Sequence, residues 1–101
     1  DHPMLILIDT EAYESDFAGD PTEAKCKLSF VPTAIALMED FEFLNKKTGA
    51  MISCCRIYLQ GVPKPIHIAM SRKDMTKFID QLWQSIQQRQ AIQSAPPIFG
   101  R

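Results

Sequence analysis

The stretch from Ser71 to Gln90 constrains this chain most, because it reads as one long amphipathic helix in a sequence otherwise patterned for strands. Ser71 is a suitable N-cap. Its hydroxyl can accept a hydrogen bond from an orphan backbone N–H one turn on, and Asp74 stands where a capping box places its acid. Met70 and Met75 flank the cap at the spacing of a hydrophobic staple. Met75, Phe78, Ile79, Leu82, Trp83 and Ile86 then fall within an arc of about 140°, the width of a core-facing stripe. Lys77, Asp80, Gln81, Gln84, Gln87 and Gln88 take the opposite side. Arg89 and Gln90 occupy positions where the arc wants apolar residues, so the helix is expected to outrun its support after Ile86. Trp83, at the edge of the arc, is either a half-buried core residue or an anchor for a partner.

A helix with one apolar face needs a sheet or another helix to bury it. The preceding chain offers strands. Ala24 to Phe30 alternates, with Cys26, Leu28 and Phe30 on one side and Lys25, Lys27 and Ser29 on the other. Pro32 is expected to end that strand, since proline cannot donate to a ladder. Met51 to Leu59 alternates as well, with Met51, Ser53, Cys55, Ile57 and Leu59 inward and Ile52, Cys54, Arg56 and Tyr58 outward. Pro65 to Met70 closes the series, with Ile66, Ile68 and Met70 inward and His67 and Ala69 outward. Met4 to Ile8 is a continuous apolar run and fits a strand buried on both faces.

Thr33 to Leu44 fits two patterns. As a helix it carries a stripe of Ala34, Leu37, Met38, Phe41 and Leu44. As a strand it pairs Ile35 with Leu37, kinks at Glu39-Asp40 and resumes at Phe41 and Phe43. The strand is preferred, because residues 45–49 (Asn-Lys-Lys-Thr-Gly) look like a hairpin loop leading into the plainly alternating Met51–Leu59. The expected fold is therefore α+β: an antiparallel meander of four to five strands with one long C-terminal helix packed on one face. A single domain over 1–92 is expected, with a flexible proline-containing tail at 93–101. Asp1-His2-Pro3 is read as a remnant before a native start at Met4.

Charge is spread unevenly. The net charge is −1, yet residues 1–24 hold seven acids and no Lys or Arg, while residues 25–101 hold eleven bases and five acids. Residues 9–24, with the turn signal Gly19-Asp20-Pro21, are read as an acidic loop containing at most a short helical turn around Glu11–Phe17. The three cysteines include an adjacent pair, Cys54-Cys55, which makes a poor disulfide framework. Free thiols point to a reducing compartment, the cytoplasm. No apolar run approaches the ~20 residues of a membrane span.

Motifs for chemistry are sparse. Cys54 and Cys55 would point to opposite faces of a strand and could not readily share a metal with Cys26 and His67. No metal and no cofactor is expected. Cys54 and His67 could meet across neighbouring strands, but nothing local would activate the thiol. Glu39 and Asp40 read as a solvated bulge. No phosphate-binding glycine loop is present. On the outward sheet face Lys25, Lys27, Arg56, Tyr58, Lys64 and His67 form a basic surface with one aromatic, a composition that suits nucleic acid weakly.

These observations favour a small non-catalytic binding or adaptor protein acting through protein–protein contacts. One helix covers one sheet face, so the other, holding Ile52, Tyr58, Ala69 and Met38, is expected to be covered by a second copy or another protein. The candidate contact residues are Trp83, Tyr58, Arg56, Lys27 and His67. A nucleic-acid-binding module and a small enzyme or ligand-binding subunit are the alternatives.

Overall fold

The computed structural model describes residues 6–94, with side chains through residue 90. Five strands and one helix follow in order: β1 (Ile8–Ser15), β2 (Pro21–Phe30), β3 (Ile35–Leu44), β4 (Met51–Leu59), β5 (Ile66–Ile68) and α1 (Arg72–Ser94). The fold is α+β. All neighbouring strands are antiparallel and the sheet order is β2-β1-β5-β4-β3. β3, β4 and β5 form a meander, and β5 joins it to the β1–β2 hairpin.

One sheet face carries the main core. Ile8, Ala12, Phe30, Cys55, Ile57, Leu59, Ile68 and Met75 are buried together, with Cys26, Leu28, Met38, Ile66, Ile79 and Leu82 packed around them. Burying each large apolar side chain here stabilises the fold by about 1.5–3 kcal/mol. α1 starts where the sequence places it: the Asp74 N–H donates to the Ser71 Oγ at 3.0 Å. It lies mainly over β3 and β4. Its buried stripe is narrower than the periodicity predicts, because Phe78 stays 37% exposed while Met75, Ile79 and Leu82 pack down. The helix also continues to Ser94. Of the tail expected at 93–101, residues 95–101 lie outside the described residues, as do residues 1–5.

Three sequence expectations need correction. The acidic segment 9–24 is not a loop: Ile8–Ser15 is a strand, paired with β2 from Ile8↔Phe30 to Tyr13↔Lys25, and Glu11–Phe17 contains no helical turn. Its acids Asp9 and Glu11 alternate with the buried Ile8, Thr10 and Ala12. The apolar run before it contributes Ile8 alone to that strand, since Ile6 and Leu7 lie outside it. Glu39 and Asp40 form no bulge but pair in register with Arg56 and Cys55. The irregularity lies earlier, between Ile35 and Leu37. An extra residue there turns the later alternation over. Met38, opposite Ile57, therefore packs into the core, and Phe41 and Phe43 go to the other face. Residues 33–44 are otherwise a strand as preferred, after one 3-10 turn at Pro32–Ala34.

The loop after β3 closes as its composition predicts. The Asn45 carboxamide oxygen accepts from the Lys47 and Thr48 N–H groups, and Gly49 takes φ +77°. The matching turn between β1 and β2 is built on Asp16, whose Oδ1 accepts from the Ala18 N–H at 2.9 Å and the Asp20 N–H at 3.0 Å.

The second sheet face is not flat. Tyr13 of β1 and Phe43 of β3 meet edge to face with ring centroids 5.1 Å apart. Three strand spacings of a flat sheet would separate them by about 14 Å. Glu23 of β2 likewise reaches Lys47 beyond β3 at 3.3 Å. Neighbouring strands rotate by about 20–25°, which accumulates toward a right angle across a five-stranded sheet. Twist of that size lifts diagonally opposite corners toward one face. The β1–β2 turn and the β3–β4 loop close over the second face. The other diagonal, Ile8–Phe30 and Ile35–Leu59, closes over the core beneath α1. Phe43, Cys54 and His67 become buried as a result, although their own strands expose that side.

Candidate functional site

The second face gathers side chains from four strands. Register places Tyr13, His67, Arg56 and Glu39 side by side across β1, β5, β4 and β3. The Arg56 Nε and Nη2 both donate to one Glu39 carboxylate oxygen at 2.6 Å, and the Tyr58 hydroxyl donates to the same oxygen at 3.1 Å. The Arg56 guanidinium lies 4.1 Å from the centre of the Phe41 ring. Phe41 in turn contacts the His67 ring at 5.0 Å. On the far side Lys25 approaches the Tyr13 ring at 5.8 Å.

Charge states follow from these contacts. Hydrogen bonding from Arg56 is the largest influence on Glu39 and holds its carboxyl below the ordinary value, opposed by partial desolvation. His67 is 2% exposed, and neither ring nitrogen has a hydrogen-bond partner among the described residues. Burial lowers its pKa and Arg56 lowers it further, against the weaker pull of Asp20 and Glu39. The imidazole is neutral at pH 7. Cys54, also 2% exposed, has its thiol pushed up to about 11, first by burial and then by the neighbouring Cys55. A nucleophilic Cys–His pair needs the reverse, a depressed thiol and a cationic imidazole. Cys54 and Cys55 are both buried on opposite faces, and no group of three His, Cys, Asp or Glu side chains suits a metal ion among the described residues.

Of the five residues expected at a contact site, Arg56, Tyr58 and His67 come together. Lys27 shares their face but stands in edge strand β2, opposite Glu11. Trp83 is on α1, across the sheet from the others. Lys64 is exposed in the turn between β4 and β5, near Gly19. Sequence reasoning missed Tyr13, Phe41, Phe43 and the pairing role of Glu39. The i, i+2 spacing of Phe41 and Phe43 was a usable signal, but the irregularity at Ile35–Leu37 hid which face they take. The surface counted as basic is mixed in charge, because Arg56 is paired with Glu39 and the Ser29 hydroxyl donates to Asp9 beside Lys27.

Where the two corners close, a cleft of about 240 Å³ opens. Pro21, Phe41, Phe43 and Leu44 supply apolar walls, and Asp16, Asp20, Glu23 and Lys46 supply charge. It lies below the ~300–1,000 Å³ of small-molecule sites, so its size suits one side chain better than a whole cofactor. No helix among the described residues is long and apolar enough to cross a membrane. No family model, curated protein or solved structure matches the chain.

Proposed function

We propose that this protein is a non-catalytic cytoplasmic binding or adaptor module that acts through protein–protein contacts and pairs with a second copy through α1. The observation behind this is the length of the helix relative to its support. Among the α1 residues with described side chains Leu82 is the last packed against the core, and the helix runs on to Ser94. Residues 83–94 rise about 18 Å at 1.5 Å each. Trp83 and Ile86 are half-covered outside the core cluster, and Phe78, at the other edge of the apolar arc, is exposed. Gln84, Gln87 and Gln88 lie on the opposite side of the helix and are uncharged, so they add no like-charge repulsion between two such helices.

The far sheet face gives less support to pairing than the sequence implied, since the chain covers part of it with its own corner. The mixed charge there also leaves the nucleic-acid reading with little behind it, and the neutral Cys54 and His67 do the same for a thiol enzyme. Three free cysteines fit a reducing compartment.

Light scattering after size exclusion, from micromolar to millimolar protein, tests the pairing. A dimer mass that falls to the monomer in Trp83→Glu supports it. A monomer at every concentration rejects self-association. Unchanged retention of Lys27→Ala and native protein on single-stranded DNA across salt would dismiss the nucleic-acid alternative.

A further inference from the structure

We propose that the closed corner of the second sheet face is an acid-released latch: a proton taken up by His67 parts the β1–β2 turn from the β3–β4 loop and uncovers Phe41, Phe43 and Cys54, while the strand ladders stay paired. This goes beyond the reading of the chain as a binding module and uses none of the α1 contacts behind it.

The latch depends on where His67 stands. β5 is the middle strand of the sheet, so His67 has a register partner on either side, Tyr13 of β1 and Arg56 of β4. The Phe41 ring lies against it at 5.0 Å, and the Arg56 guanidinium packs on that same ring at 4.1 Å. The imidazole is 2% exposed, and neither nitrogen has a partner among the described residues. Neutral, the ring packs as one more piece of the corner. Protonated, it becomes a buried cation with two N–H donors and no acceptor, a state that costs far more than the neutral one.

The surroundings do not hold that charge in place. On β4, Arg56 is itself a cation and opposes the proton. On β3, Glu39 attracts it, but the Glu39 carboxylate already accepts from Arg56 and Tyr58. From the β1–β2 turn Asp20 attracts it as well, less strongly than Arg56 repels it. On β1, Tyr13 brings a ring, approached from β2 by the Lys25 ammonium at 5.8 Å. At the rim Lys46, Lys47 and Lys64 balance the acids, with Lys47 paired to Glu23 at 3.3 Å. No surplus of negative charge is left there to fix an imidazolium inside.

The charged ring must therefore reach water. The Tyr13–Phe43 ring pair at 5.1 Å and the Glu23–Lys47 ion pair bridge the corner. Both join strands or loops that are not neighbours in the sheet, so releasing them breaks no ladder. Local openings of this kind need less free energy than global unfolding. Cys54 and Cys55 distinguish the two events. Both are buried, on opposite faces, so a parted corner bares Cys54 alone and unfolding bares both.

The test labels the full chain briefly with N-ethylmaleimide across a pH series. The cysteines are mapped by mass spectrometry and normalised to the half-buried Cys26. NMR of the His67 ring on the same samples follows its titration. As His67 gains its proton, the Cys54:Cys26 labelling ratio should rise about tenfold with Cys55 still protected. NOEs between the Tyr13 and Phe43 rings should fade with the same midpoint. His67→Gln, which does not titrate, should keep the ratio flat. Should that variant not fold, the ratio and the ring NOEs of the native chain decide the matter. An unchanged ratio across the His67 titration, equal labelling of Cys54 and Cys55, or a His67 that gains no proton before the fold is lost would each overturn the proposal. So would the same rise in His67→Gln.

Discussion

Tyr13 and Phe43 hold the sheet closed across its diagonal, edge to face at 5.1 Å, from strands that are not neighbours. Phe43 is 9% exposed, so its ring is a structural wedge. Phe43→Ala should cost about 3–5 kcal/mol, as for other buried aromatic deletions, and Phe43→Leu distinctly less. Urea denaturation of both variants measures this. A loss below about 1 kcal/mol for the alanine variant would mean that the corner contributes no packing energy.

Stability should fall on acidification through His67. Its folded pKa lies below the unfolded value of 6.5, chiefly through burial. Between those two values the unfolded chain binds the extra proton, so unfolding free energy rises with pH. The contribution is complete above pH 6.5 and is lost as pH falls through the folded pKa. His67→Leu removes the titration together with two unpartnered nitrogens. At pH 7 it should lie within about 1.5 kcal/mol of the native chain. It should also lose less stability between pH 7 and pH 5. Parallel pH slopes for the two proteins would reject the assignment.

The cysteines should differ in reactivity. Cys54 and Cys55 are buried with raised thiol pKa values, whereas Cys26 is half-buried. Thiolate, not thiol, attacks alkylating reagents. Brief iodoacetamide treatment at pH 8, mapped by mass spectrometry, should mark Cys26 first. Cys54 and Cys55 should follow once denaturant opens the fold. Early labelling of Cys54 would show that the second face is open in solution.

At the start of α1 the Asp74 N–H donates to the Ser71 Oγ, beside the Met75 N–H that donates to the Ser71 carbonyl. Ser71→Ala should cost about 1 kcal/mol, and Ser71→Asp should recover most of it. Thermal unfolding followed at 222 nm reads both.

What was legible in the sequence was local. Ser71 and its apolar stripe marked α1, the alternation of Met51–Leu59 marked β4, and residues 45–49 decided the state of β3. β1 escaped because its inward residues after Ile8 are Thr10 and Ala12, too small or polar to stand out between acids. The faces of Met38 and Phe41 escaped because one extra residue between Ile35 and Leu37 reverses them. The contact group around Arg56 was partly visible from alternation. Its burial was not, because it depends on two corners brought together by the twist of the whole sheet.

The three-residue β5 has a consequence for the order of folding. Each hairpin, β1 with β2 and β3 with β4, joins residues close in sequence and can form early, whereas Ile68 must reach Ala12 from the other end of the domain. Contacts that close long loops are slow to form. Until residues 66–68 emerge from the ribosome, β1 and β4 each present an unpaired inner edge. The chain is thus open to edge-to-edge misassembly until β5 is in place, and insertion of Ile66–Ile68 is the step that makes one sheet of two ribbons.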